Sequence, residues 1–339
     1  MSQITPKRFL VLGAGSWGSA LALYLARLQH DVVLWGHRKD EIQPITTGRI
    51  NERYLPGFSF PPELKATSDL KEAFELAGNE AVILIAVPSH AFRDMTMRIK
   101  PYLTVKMGIL WATKGLSQES EFLHVVCQQS CGHLPLGVIS GPSFAKEVAC
   151  GLPTAVTIAT DTPSFGQQML QAFHSEMFRV YLSQDLIGVQ LGGVVKNVLA
   201  IAVGMSDGLG FGANARAALI TRGLAELCRL GNKLGAELQT LMGLSGVGDV
   251  VLTCTDNQSR NRRFGLALGE GRAIDEAEKA IGQVVEGKMN VKQIMVLANK
   301  HQVEMPICQQ VYEVLYEALP PQQAVNNLLK REPKNETFF

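Results

Sequence analysis

The apolar run Phe9-Leu-Val-Leu12 leads directly into Gly13-Ala-Gly15-Ser16-Trp17-Gly18 and then into an amphipathic helical pattern. Strand, glycine turn and helix in that order constrain the fold more than any other feature of the chain. Gly13 permits a tight turn. Gly15 lets backbone come close to a pyrophosphate, and Gly18 allows the helix to pack closely on the strand. The N-terminus of the following helix offers unpaired N–H groups and a partial positive charge to phosphates. A glycine-rich turn without a ligand is the plainer reading. The flanking strand and helix favour a dinucleotide-binding turn.

The text after this motif keeps alternating short apolar runs with helical patterns. Expected strands are Arg8–Leu12, Asp31–Trp35, Ala81–Val87, Met107–Ala112 and Gly137–Ser140, with helical patterns such as Trp17–Gln29 and Ser117–Cys131 between them. Ala155–Ala159 and Phe178–Leu182 can extend the sheet, and Pro163 suits the first turn of a helix between them. This alternation implies an α/β, Rossmann-like, doubly wound parallel sheet. After about Gln184 strand runs nearly vanish and Ala/Leu/Gly-rich helical patterns take over. The expected organisation is a dinucleotide-binding domain over residues 1–184, an all-α substrate-binding and catalytic domain over 185–330, and a loose tail over 331–339.

The chain carries 32 basic and 31 acidic residues among 339, so no global field points to nucleic acid or to a membrane surface. Its six cysteines form no C-x-x-C pair, and its seven histidines form no recognisable ligand set. The expectation is therefore reduced thiols, no metal and cytoplasmic residence. The opening residues lack a signal-peptide layout.

The longest apolar stretch, from Leu186 to Met205, holds a single charge, Lys196. An ammonium in a desolvated setting is costly unless it is paired or used. Gly192, Gly193, Leu199 and Ala200 flank Lys196 at helical spacing, and three of these are small. Either Lys196 is an acid/base lysine facing a pocket, or it lies near a helix end and snorkels to water. Four glycines, Gln190, Lys196 and Asn197 weigh against a membrane span.

The second expected strand ends in His37-Arg38-Lys39, where an NAD-selective site would usually carry an acid. NADPH is therefore the favoured cofactor, with Arg38 and His37 near its 2′-phosphate; a solvated basic turn is the alternative. Lys114 and the Gly141-Pro-Ser143-Phe-Ala145 segment follow expected strands, where ligands of parallel sheets sit. In the second half, Asp249 lies in a glycine-rich turn. Ser259-Arg260-Asn261-Arg262-Arg263 reads as a helix start, with Ser259 as N-cap. Arg260 and Asn261 can seat a phosphate there, or the turn is simply a solvated basic helix start. Val284 and Glu286 lie in a further turn that says little by itself.

Taken in order, GAGSWG, WGH, VPSH, WATKG, SGPSFAKE, GLPTA, GVQLGGVVKN, MSDGLGFGANAR, GDVVLTCTDNQSRNRRFG and GQVVEG resemble the bacterial NAD(P)-dependent glycerol-3-phosphate dehydrogenase family. The resemblance runs from about Phe9 to about Pro306. It implies reversible reduction of dihydroxyacetone phosphate to sn-glycerol 3-phosphate with NADPH or NADH, supplying glycerophospholipid synthesis. It implies cofactor contacts at Ser16, Trp17, His37, Lys114, Ala145, Arg260, Val284 and Glu286, which join Gly13, Gly15 and Gly18 of the glycine turn and Arg38 of the basic turn. It implies substrate contacts at Lys114, Gly141, Ser143, Lys196, Asp249, Ser259, Arg260 and Asn261, with Lys196 as proton donor and acceptor. Val194 departs from the alanine expected two residues before that lysine. The Ala/Leu-rich helices are consistent with a homodimer. Two alternatives remain: a related dehydrogenase acting on 3-hydroxy acids or ketopantoate, and a catalytically silent dinucleotide sensor.

Overall fold

Runs such as FLVL and VILI carry no polar alternation, so the strands they form must be covered on both faces. In the computed structural model, which describes residues 6–332 and 335, they are. The strands are β1 (Arg8–Leu12), β2 (Asp31–Trp35), β3 (Ile50–Asn51), β4 (Leu55–Ser59), β5 (Lys65–Thr67), β6 (Val82–Ile85), β7 (Gly108–Trp111), β8 (Leu136–Ser140), β9 (Thr154–Ala159) and β10 (Phe178–Ser183). Eight of them form one sheet in the order β10-β9-β8-β7-β6-β1-β2-β5, and β3 pairs with β4. Within the large sheet every pair is parallel except β8 with β9, where Val138 faces Ala159. The β9–helix–β10 unit is thus laid onto the sheet in the opposite sense. Its helix, Pro163–Phe173, has Pro163 in the first turn. Phe9, Phe173 and Phe178 lie at the centre of this core.

The chain divides into two compact units. The first comprises residues through Thr113 together with Leu123–Leu186; the second comprises Lys114–Phe122 and everything from Ile187 onward. The nine-residue excursion departs from the expected division at residue 184. Helix was expected from Ser117, but it spans only Leu123–Cys131. Ser117 uses its hydroxyl to accept from the N–H groups of Glu119 and Glu121, both at 3.2 Å, which closes a turn in place of a helix. Two carbonyls of this segment bind the buried Gln293 side chain in the second unit. The expected tail lies largely outside the described residues.

No strand occurs in the second unit among the described residues. The Leu186–Gly208 helix is its core element and is long and apolar enough to cross a membrane by length and composition alone; nearly all of it is buried inside the protein. Val194 points into that core and is fully buried. One side of the helix is a row of small residues. A Cβ on Gly204 or Gly208 would collide with the Arg262 or Leu266 carbonyl, and a Cβ on Gly265 or Gly269 with the Ile201 or Met205 carbonyl. Two backbones therefore touch, and the Arg260–Gly269 helix is held directly against the helix carrying Lys196.

Candidate active site

In the first unit the glycine turn joins β1 to the Ser16–Arg27 helix, with Gly15 as N-cap. The turn sits where strand order reverses, β1 having β2 on one side and β6 on the other. Gly13 has φ +121°, and a Cβ there would lie 2.6 Å from the Ala86 oxygen. A Cβ on Gly18 would strike the Gly13 carbonyl, whereas one on Gly15 would meet open space. Two glycines thus close the turn and the third leaves room at a helix N-terminus that carries no side-chain cap. The indole Nε1 of Trp17 is buried there without a hydrogen-bond partner. These features fit a pyrophosphate. Asn51, which the sequence reading missed, braces the turn by donating to the Ala14 oxygen at 2.8 Å and to Ser19 Oγ at 2.9 Å.

His37 and Arg38 are exposed just after β2. Arg38 is engaged by Asp40, Nη2 to Oδ2 at 2.6 Å, with Glu41 at 3.5 Å. An exposed ion pair of this kind contributes little and exchanges readily for another anion. Gly141 follows β8 with φ +137°; a Cβ there would press on the Val156 Cα at 3.1 Å. Ser143 donates to the Gly141 carbonyl at 2.9 Å, and Ala145 opens the short Ala145–Cys150 helix.

In the second unit three charged side chains converge. A π-helical turn, Leu244–Gly248, delivers Asp249 as the first residue of the Asp249–Thr255 helix. Gly192 of the core helix packs against this turn so closely that a Cβ would strike the Ser245 carbonyl. Asp249 is fully buried. Its Oδ1 accepts from Lys196 Nζ at 2.5 Å and its Oδ2 from Lys114 Nζ at 2.7 Å. Thr253 Oγ1 donates to Oδ1 at 3.4 Å. Burial alone would raise the Asp249 carboxyl; the ammonium groups of Lys114 and Lys196 outweigh it and hold the group below the usual carboxylate range. Burial is the largest influence on Lys196, opposed by Asp249 and reinforced by Lys114, and its amine is pushed down to about 7. With all three ionised the cluster carries one net positive charge, which suits an anionic ligand. An amine near 7 can both give and take a proton at neutral pH.

Lys196 therefore faces a polar cluster and does not snorkel to water. Beside it, Asn197 Oδ1 accepts from Asn261 Nδ2 at 2.9 Å, and Asn261 Oδ1 accepts from the Gly287 N–H at 3.0 Å. Ser259 is the N-cap of the Arg260–Gly269 helix, accepting from the Arg262 N–H. The three arginines of that helix start have separate fates. Arg262 is buried against Asp207, Asn257 and the Cys254 carbonyl. Arg263 is exposed. Arg260 is half-buried and donates to Gln283 Oε1 at 3.3 Å. Glu286 opens the Glu286–Lys300 helix and its charge acts on Arg260, while Val284 is exposed. Besides Asn51, the sequence reading assigned no role to Thr253, Asn290 or Gln293. An amide at helical spacing among apolar residues, as in Asn290-Val-Lys-Gln293-Ile294, is the signal that would have found the last two.

The NAD-dependent glycerol-3-phosphate dehydrogenase N-terminus family matches residues 9–166, and the corresponding C-terminus family matches 185–326. Glycerol-3-phosphate dehydrogenase [NAD(P)+] from Thioalkalivibrio sulfidiphilus is 55% identical over 328 residues, covering 96% of this chain and 98% of the relative. The Coxiella burnetii protein of that name is 53% identical over 326 residues, covering 96% and 97%. A crystal structure of glycerol-3-phosphate dehydrogenase from Coxiella burnetii superposes with TM-score 0.93 at 52% identity, covering 96% of this chain and 99% of the other. A ketopantoate reductase from Ralstonia eutropha, at 15% identity and TM-score 0.57, shares the fold alone. With both of its units matched and relatives above half identity over nearly their whole length, the chain belongs to the NAD-dependent glycerol-3-phosphate dehydrogenase family.

Proposed function

We propose that this protein interconverts dihydroxyacetone phosphate and sn-glycerol 3-phosphate, using NADPH in preference to NADH, with Lys196 as the proton donor and acceptor. The observation that carries this reading is the buried Lys114–Asp249–Lys196 cluster, whose Lys196 amine sits near 7. A nicotinamide dinucleotide bound at the glycine turn supplies or takes up the hydride. Gly13, Gly15, Ser16, Trp17 and Gly18 hold its pyrophosphate, and Ala145, Val284 and Glu286 complete its contacts. Arg38 turns from Asp40 to the 2′-phosphate, with His37 beside it.

Lys196 as ammonium stabilises charge developing on the substrate carbonyl oxygen and donates the proton; in the reverse direction the neutral amine accepts it. Asp249 orients both lysines and keeps the pair from expelling its second positive charge. Lys114 adds attraction for an anionic substrate, and Gly141 and Ser143 contribute further substrate contacts. Arg260, the Ser259-capped helix N-terminus and Asn261 take the phosphate. Asn261 has committed its carbonyl and one N–H, which leaves one amide N–H for that purpose. Phosphate binding energy then positions the reacting carbonyl.

We place the enzyme in the cytoplasm as a homodimer, its product feeding glycerophospholipid synthesis; sedimentation at graded concentration tests the dimer. The deciding assay is NADPH oxidation with dihydroxyacetone phosphate beside dihydroxyacetone and ketopantoate. Rapid turnover with the phosphorylated ketone alone is expected. Turnover with ketopantoate alone would refute the phosphate reading.

A further inference from the structure

Four buried side-chain amides in the second unit form one continuous chain. The Gly287 N–H donates to Asn261 Oδ1 at 3.0 Å, Asn261 Nδ2 donates to Asn197 Oδ1 at 2.9 Å, and Asn197 Nδ2 donates to Asn290 Oδ1 at 2.9 Å. Asn290 Nδ2 then donates to Gln293 Oε1 at 3.2 Å, and Gln293 Nε2 donates to the carbonyls of Leu116 at 3.1 Å and Ser117 at 2.7 Å. Asn290 is fully buried and Gln293 nearly so.

The polarity of the chain is imposed from both ends. A backbone N–H can only donate and a backbone carbonyl can only accept. Every amide between them must therefore point the same way, and reversing any one breaks at least two links. Aligned amides also polarise one another, which makes such a chain stiffer than separate pairs.

Its stations are the segments that carry the chemistry. Asn261 adjoins Arg260, and Asn197 adjoins Lys196. Asn290 and Gln293 lie on the Glu286–Lys300 helix, and Leu116 and Ser117 follow Lys114 by two and three residues. Segment 114–122 has little regular structure of its own; beside the Ser117 turn and the burial of Leu116, its carbonyls at Leu116 and Ser117 tie its path beyond Lys114 to Gln293.

We propose that Asn290 and Gln293 are positioning residues that hold Lys114 against Asp249, and so beside Lys196, through this head-to-tail chain of amides. The inference rests on the reading of Lys196 and Lys114 given above. Neither Asn290 nor Gln293 is given a contact with substrate or cofactor.

The arrangement has a consequence for the proton chemistry. The charged and titratable groups acting on Lys196 are Asp249 and Cys254 from the Asp249–Thr255 helix and Lys114 from segment 114–122. Burial pushes the Cys254 thiol up to about 12, so it stays neutral. Lys114 is the group that repels a proton from Lys196. If Gln293 lets the segment go, Lys114 leaves Asp249. Lys196 then keeps its counter-ion and loses the repulsion, so its amine becomes a weaker acid.

Gln293→Met keeps the length of the side chain and removes all three of its links; Asn290→Leu breaks the chain one step earlier. Two measurements are made on the purified full-length variants. One is the pH dependence of Lys196 acylation by a small anhydride, read by mass spectrometry. The other is the pH dependence of kcat and KM for dihydroxyacetone phosphate, with NADPH binding as the control for an intact first unit. Gln293→Met is expected to move the Lys196 acylation midpoint, and the alkaline limb of kcat, upward by on the order of one pH unit. KM should rise about tenfold with a smaller change in kcat, because an anion-attracting lysine has moved away. Asn290→Leu should shift both in the same direction, and the double variant should be no worse than Gln293→Met, since both cut one chain. An unchanged Lys196 midpoint in both variants, or losses that simply add, would overturn the proposal. The acylation arm needs no substrate. A wild-type protein inert toward dihydroxyacetone phosphate would defeat the functional reading, and that arm would still decide whether the amide chain governs Lys196.

Discussion

Replacing Asp249 with asparagine tests the centre of the mechanism with little change of shape. The carboxylate, itself fully buried, holds two ammonium groups at 2.5 and 2.7 Å. With it in place the Lys196 amine sits near 7, so roughly half of it is protonated at neutral pH. An opposite charge at about 4 Å is worth about 4 kcal/mol at the effective dielectric that describes protein sites best. Each factor of ten in protonation corresponds to about 1.4 kcal/mol, so removing the carboxylate favours the neutral amine by up to about a thousandfold. The asparagine carbonyl still accepts one hydrogen bond and returns part of this, leaving an expected loss of about a hundredfold. The assay is ketone reduction by the Asp249→Asn variant between about pH 6 and about pH 8.5, with the Lys196 acylation midpoint measured in parallel. Two results are expected: kcat at neutral pH about a hundredfold below wild type, and recovery as the pH falls, because acid restores the ammonium. A kcat within about threefold of wild type, or a loss equal at every pH, would refute the claim that Asp249 sets the proton affinity of Lys196.

Glu226 makes a second, independent pH prediction. It is buried, accepts from the Ile307 N–H at 2.6 Å and the Cys308 N–H at 3.2 Å, and burial pushes its carboxyl up from 4.5 to about 7. The folded state therefore favours the protonated group; its stabilising effect is full below about 4.5 and lost as pH rises through about 7, a change of about 3 kcal/mol. Thermal melts of wild type against Glu226→Gln should show wild type losing stability relative to the variant across that window; parallel curves would refute this. Gly265→Ala should cost on the order of 3 kcal/mol, because its methyl group meets the Ile201 carbonyl and forces two helices apart. Denaturant midpoints measure that cost, and KM for the phosphorylated substrate should rise with it. Arg38→Ala should lower the ratio of kcat/KM for NADPH over NADH by about tenfold. An unchanged ratio would remove Arg38 from the 2′-phosphate site.

What could be read from the sequence divides along physical lines. β1 and β2 were legible to the residue because a strand buried on both faces must be an apolar run bounded by polar or glycine residues. β3, β4 and β5 were not: they are short, and Leu55-Pro-Gly-Phe-Ser carries breakers where a strand signal should stand. Lys196 stood out because one charge in an apolar helix is a local anomaly. Lys114 and Asp249 were candidates as well, but they are 135 residues apart, and only the fold shows that both lysines meet on the one carboxylate. The amide chain was harder still. Asn197, Asn290 and Gln293 look like ordinary polar residues one at a time, and their meaning lies in a shared direction of hydrogen bonding. Segment 114–122 shows the same limit from the other side. A helix was expected from Ser117, but the Ser117 hydroxyl closes a turn there, and two carbonyls of the segment are claimed by Gln293, far along the chain. Local propensity loses wherever a buried polar group elsewhere must be satisfied. A site assembled from such groups can be recognised in sequence by its charged members long before its supporting shell can.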